Sequence, residues 1–244
     1  MAGNWKMYKT ASETTDFFKE FGTLVASTSG RDIVICPTFI NLSAAVEATK
    51  GSKIEIGGQN LHWAKEGAYT GEISASMLVS VGAKWVLIAH SERRQMFGET
   101  NETVLKKTVA ALEAGLQSIV CVGELLNERE EGRTNAVLEE QFLEGIAGLS
   151  PDQFGKIAIA YEPVWAIGTG KTATPEIAQE AHAHIRSLIE AKYGKSVADK
   201  TRILYGGSVK ADNAKTLMSQ TDVDGVLVGG ASLDPKSFAS IVNF

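Results

Sequence analysis

The amino-acid sequence predicts an α/β protein of a single domain spanning 1–244: a closed (β/α)8 barrel with a shortened first strand. Short, continuously apolar runs recur along the chain, as in strands buried on both faces of a parallel sheet. Amphipathic helical stretches separate them. The length of 244 residues is also that of one α/β barrel.

The elements follow in order. "MAGNW" at 1–5 supplies a clipped first strand, and 12–25, "SETTDFFKEFGTLV", the helix after it. Further strands are predicted at 33–36, 54–57, 85–89, 118–122, 156–161, 202–205 and 223–228. Each is four to six residues long and rich in Ile and Val. The segment 102–115 has helical spacing and stops on Gly115. The segment 174–194 opens with Thr174 as N-cap and Pro175 at the first helical position, and ends at Gly194. A last helix is expected over 234–244. Eight parallel strand–helix units close more readily than they lie open at this length.

Composition excludes several function classes. With 24 basic and 29 acidic residues the net charge is −5, and no Lys/Arg run marks a nucleic-acid partner. No apolar run approaches a membrane span, and "MAGNWKMYKT" has no signal-peptide core. Cys36 and Cys121 sit in apolar segments, so they are expected as buried thiols in a reducing, cytoplasmic setting.

A barrel gathers the carboxyl ends of its strands at one mouth, so chemistry is expected there. The unusual residues fall at those ends. Asn4 and Lys6 follow strand one, His90 strand four and Glu162 strand six. Gly206, Gly207 and Ser208 follow strand seven, and Gly229 and Gly230 strand eight. A carboxylate half-shielded by apolar neighbours, with Pro163 fixing its chain and Trp165 able to cover it, has raised basicity and suits proton abstraction. His90 precedes Ser91, Glu92 and Arg93, which can open a short helix whose N-terminus keeps the ring neutral. Lys6 beside Asn4 suits an anion clamp. Each group also has a plainer role: a solvated Glu, a structural His, a surface Lys, glycines that only turn the chain. The paired-glycine loops after strands seven and eight nevertheless match the usual phosphate position of barrel enzymes. His182 and His184 lie two apart on a helix and point to different faces, and His62 stands alone. No metal site is expected.

"GTGKT" at 168–172 ends like a nucleotide P-loop. That pattern needs a glycine five residues before Gly170, where Trp165 stands, and a helix starting directly at the Lys-Thr. The helix starts only at Pro175. The segment 163–173 reads instead as a lid: stiff "PVW", small "AIGTG", then "KTA", attached to Glu162 and able to exclude water.

The motifs "AGNWKM", "AHSERR", "AYEPVWAIGTGK", "YGGSVK" and "GVLVGGASL" together resemble those of the triosephosphate isomerase family, in order over essentially the whole chain. The resemblance implies interconversion of dihydroxyacetone phosphate and glyceraldehyde 3-phosphate without a cofactor. It implies Glu162 as base, His90 as neutral electrophile, and Lys6 as the stabiliser of anionic charge. Asn4 would hold substrate and Glu92 support the site from behind. Gly168, Ser208, Gly229 and Gly230 would bind phosphate, and Tyr205 with Ser208 would latch the lid. It also implies a homodimer through the loop 60–74, whose "YTGE" docks beside the partner's Asn4 and the partner's Lys6. Two departures stand out. Members of this family carry more residues before "AGNWKM", so reduced stability with an intact site is expected. Leu125 stands where threonine is usual, with no functional effect expected. The alternatives are another sugar-phosphate isomerase on this barrel, which would share the phosphate loops but not all of Lys6, His90 and Glu162 in these contexts, and a non-catalytic barrel scaffold, which would lack at least one of them.

Overall fold

The computed structural model describes residues 1–167 and 172–244. Eight parallel strands close into a barrel in chain order: β1 (Ala2–Asn4), β2 (Ile33–Cys36), β3 (Ile54–Gly58), β4 (Trp85–Ile88), β5 (Gln117–Val122), β6 (Ile157–Tyr161), β7 (Ile203–Tyr205) and β8 (Gly225–Val228). β1 has only three residues, yet it pairs with β2 through Ala2–Val34 to Asn4–Cys36 and with β8 through Ala2–Leu227 and Gly3–Val228. The predicted strands all appear, each within two residues of the predicted ends.

Helix boundaries follow local chemistry. Helix Ala11–Leu24 opens with a capping box: the Thr10 hydroxyl accepts from the Glu13 N–H, and the Glu13 carboxylate accepts from the Thr10 N–H at 2.7 Å. Helix Pro175–Tyr193 opens with the Thr174 hydroxyl accepting from the Ile177 N–H and stops at Gly194, whose φ is +86°.

The period-two alternation of the strands divides the core. Ala2, Val34, Cys36, Trp85, Leu87, Ile119, Cys121, Ala158, Ala160, Leu204 and Leu227 fill the barrel. Their neighbours, such as Ile35, Val86, Val120, Ile159 and Ile203, pack outward under the helices. Outside β1, Trp5 packs with Phe17 and Phe18, and Phe21 stacks on Phe238 at 5.2 Å, sealing the first helix to the last. Both cysteines are buried free thiols, as expected; burial pushes Cys36 up to about 12. Among the described residues no helix is long and apolar enough to cross a membrane.

One buried histidine gives the fold a pH response. His182 is fully buried behind β6, edge-on to Tyr161, with Nδ1 donating to the Asp222 carbonyl at 3.0 Å. Desolvation lowers its pKa from 6.5 to about 4. The unfolded chain therefore binds a proton below pH 6.5 that the folded chain refuses until about pH 4. Stability is full above pH 6.5 and falls as the pH drops toward 4, by about 3 kcal/mol from this group. The difference in stability between His182→Gln and the parent, from urea denaturation at pH 7 and pH 4.5, should shift toward the variant at the lower pH by most of that amount. An unchanged difference removes His182 as the cause.

Candidate active site

Alternation along the strands aims the site residues. Asn4, Glu162, Gly206 and Gly229 continue the inward series of Ala2, Ala160, Leu204 and Leu227, so they lie at the barrel mouth. His90 does not share that parity. With Trp85 and Leu87 pointing in, it would point out. Ala89, at φ +63°, interrupts the strand and turns His90 back over the mouth. Lys6 also has a left-handed backbone, φ +51°. Two non-glycine residues in this region at one rim mark a place where packing holds the chain in a costly shape.

Asn4, Lys6, His90, Glu162, Gly206 and Gly229 line one cavity of about 260 Å³, together with Ile167, Gly207, Ser208, Lys210 and Gly230. Lys6 is held at three points. Its N–H donates to the Asn4 side-chain oxygen at 3.0 Å, its carbonyl accepts from Gln59 at 2.8 Å, and its ammonium lies 2.6 Å from Glu92. Asn4 therefore shapes the Lys6 turn as well as lining the cavity.

Glu162 is almost wholly buried and both its oxygens are engaged. Oε1 lies 2.9 Å from His90 Nε2, and Oε2 accepts from the Ser91 N–H at 2.8 Å. The sequence suggests a base of raised pKa. Burial does push that way, but His90, the Ser91 N–H and Lys6 outweigh it and hold the carboxyl below its ordinary value. Trp165 does not supply the expected apolar cover alone: its indole donates to Glu124 at 2.9 Å. Tyr161 also donates to Glu124, at 3.1 Å, so this buried carboxylate anchors the start of the segment after Glu162.

His90 likewise departs from the simple helix-terminus expectation. Burial opposes its charging, but Glu162 beside it outweighs this and raises its pKa. Its Nδ1 accepts from the Glu92 N–H at 3.2 Å, at the start of helix Ser91–Phe97. The ring that satisfies both contacts is neutral, donating from Nε2 to Glu162 and accepting at Nδ1.

The glycines have steric reasons that sequence patterns do not reveal. A Cβ on Gly206 would lie 2.8 Å from Glu162 Cγ, and one on Gly207 would lie 2.2 Å from the Tyr205 hydroxyl. A Cβ on Gly229 would approach Lys6 Cε at 3.6 Å, so the β8 loop passes close beside that cation. Gly230 begins a short 3₁₀ helix, Gly230–Leu233. Burial pushes the Tyr205 phenol up to about 12, opposed by the nearby Ala173 backbone N–H. Gly168, assigned to phosphate, and the lid tip 168–171 lie outside the described residues.

Over its whole length the chain matches known proteins. The family model described as "Triosephosphate isomerase" covers residues 1–244. The chain belongs to the triosephosphate isomerase family. A triosephosphate isomerase of Solibacter usitatus (strain Ellin6076) is 66% identical over 244 residues, covering 100% of this chain and 98% of that protein. Those of Geotalea uraniireducens (strain Rf4) and Carboxydothermus hydrogenoformans (strain ATCC BAA-161 / DSM 6008 / Z-2901) are 54% and 53% identical. They match 100% and 99% of this chain and 97% and 96% of their own lengths.

Against this family background, sequence reasoning missed Gln59, which donates to the Lys6 carbonyl, and Ser91 as a hydrogen-bond donor to Glu162. Ser91 carries no motif signal for this role, because it acts through its backbone N–H. Among the described residues no group of three or more His, Cys, Asp or Glu side chains could hold a metal.

Proposed function

We propose that the chain, as one barrel domain over 1–244, is an isomerase that interconverts dihydroxyacetone phosphate and D-glyceraldehyde 3-phosphate through an enediolate. The observation that carries this reading is the meeting of Glu162, His90 and Lys6 around one cavity whose opposite wall is the glycine backbone of two loops. Membership of the family supports it. Glu162 takes a proton from one substrate carbon and returns it to the next. His90, neutral, donates from Nε2 to the carbonyl oxygen as it gains charge. Lys6 stabilises that charge and the phosphate, while Asn4 and Glu92 hold Lys6 in place. Gly168, Ser208, Gly229 and Gly230 bind the phosphate.

The geometry adds one requirement. Both Glu162 oxygens are engaged, by His90 and by the Ser91 N–H, so a substrate whose carbonyl takes the His90 hydrogen bond must displace the carboxylate from these contacts. Closing 163–173 over the site, latched by Tyr205 and Ser208, excludes water. That protects the enediolate phosphate from losing its phosphate group.

A cytoplasmic homodimer completes the reading. The loop 60–74 is braced internally: the His62 N–H donates to the Ile73 carbonyl at 2.8 Å, and His62 packs on Tyr69 with ring centroids 4.2 Å apart. Phe97, 64% exposed, lines a surface cavity with His62, Trp63 and Tyr69 of this loop, and Met7 at 90% and Ile40 at 84% are further exposed apolar side chains that a partner surface would cover.

Two measurements test the proposal. A coupled assay should show conversion of D-glyceraldehyde 3-phosphate, with kcat/KM for unphosphorylated glyceraldehyde lower by orders of magnitude, because phosphate binding drives closure. Light scattering should give twice the 26.1 kDa chain mass. No turnover, or equal kcat/KM for both substrates, sinks the catalytic reading; a single-chain mass sinks the dimer.

A further inference from the structure

We infer that Gln141 is a positioning residue for the base, acting from outside the barrel. Gln141 lies on helix Thr134–Gly145 and does not line the substrate cavity. Its side-chain amide clamps one peptide unit on each side of Gly123. Oε1 accepts from the Gly123 N–H at 2.8 Å, and Nε2 donates to the Gly123 carbonyl at 3.1 Å. Gly123 in turn rests on the main chain of Glu162: a Cβ there would lie 1.8 Å from the Glu162 carbonyl oxygen. The bonds on either side lock the same segment. The Glu162 N–H donates to the Val122 carbonyl at 2.7 Å, and the Val164 N–H to the Glu124 carbonyl at 3.1 Å. Gln141 thus fixes the middle of a three-residue platform, Val122 to Glu124, whose outer carbonyls hold Glu162 and the start of the lid.

Nothing solid stands in reserve behind the clamp. Gln141, Gly123, Ser91, Val164 and Glu162 all line a second cavity, of about 580 Å³, between the helices on this side. Without the amide, the Gly123 loop can relax into that space, and the Glu162 main chain moves with it. Shifts of about 1 Å at a reacting group cost on the order of 100-fold in rate.

The inference rests on Glu162 being the base. In the intact protein, Gln141→Met keeps the length of the side chain and removes both hydrogen bonds. Its kcat should fall by roughly 10- to 100-fold with KM changed less than about twofold. In a Glu162→Gln background the same change should cost less than about twofold, since no base remains to misplace. A loss of stability alone would not produce that contrast. A kcat within twofold of the parent, or an equal loss in both backgrounds, overturns the inference. A parent without turnover overturns the functional reading instead, and the clamp is then read without substrate. Amide hydrogen exchange at Gly123 and Glu162 should speed by at least about tenfold in Gln141→Met, and unchanged exchange overturns the clamp by itself.

Discussion

Glu162→Gln should lower kcat by about 10²- to 10⁴-fold while leaving KM within a few-fold of the parent. The substitution keeps the volume of the side chain and an oxygen that can accept from the Ser91 N–H, so the fold and the cavity remain. It removes the group proposed to carry the proton. A second consequence lies in His90. Burial opposes charging of that ring, and Glu162 is the largest opposing influence. With the carboxylate gone, burial prevails and the His90 pKa should drop below its position in the parent, which NMR titration of the imidazole would read. Stability responds as well. A carboxyl held below its ordinary 4.5 stabilises the fold above that pH and loses the effect as the pH falls through the lower folded value. The variant should lack this acid-side loss. Turnover within tenfold of the parent would remove Glu162 from the role of base.

Lys6→Met should cost about 10²- to 10³-fold in kcat/KM, the scale of losing one preorganised charge stabiliser, about 3–4 kcal/mol. The same variant should bind inorganic phosphate more weakly as a competitive inhibitor, because in the proposed reading the cation faces both the reacting oxygen and the anion. Its effect on stability should be much smaller. The Lys6–Glu92 pair is partly exposed, with side chains 25% and 39% accessible, and such pairs contribute at most about 1 kcal/mol. The left-handed backbone at Lys6 remains in the variant, held by Asn4 and Gln59, so the turn should persist. A variant that melts well below the parent, or one that keeps full phosphate affinity, would show that Lys6 serves the fold and not the anion.

Sequence context suggested a carboxylate of raised basicity and an imidazole depressed by a helix terminus. The neighbours of each lie far apart in the chain: Glu162 and His90 are separated by 72 positions, and they pair directly. Their mutual attraction reverses both directions. A substrate that separates them would restore the shifts that burial favours, which is the state in which a base is needed.

What the sequence by itself determined is the barrel, its strand and helix order, the capped helix starts, and the rim positions of Asn4, Lys6, Glu162 and the paired glycines. These follow from short-range rules: apolar runs, capping residues, and the two-residue period that aims Asn4 and Glu162 inward. The tertiary structure alone decided the rest. It turned His90 back over the mouth through Ala89, drew both Glu162 oxygens onto His90 and Ser91, tied Trp165 to Glu124, and set Gln141 behind Gly123. Each depends on backbone atoms or partners distant in sequence, and neither residue type nor local spacing encodes where such partners meet.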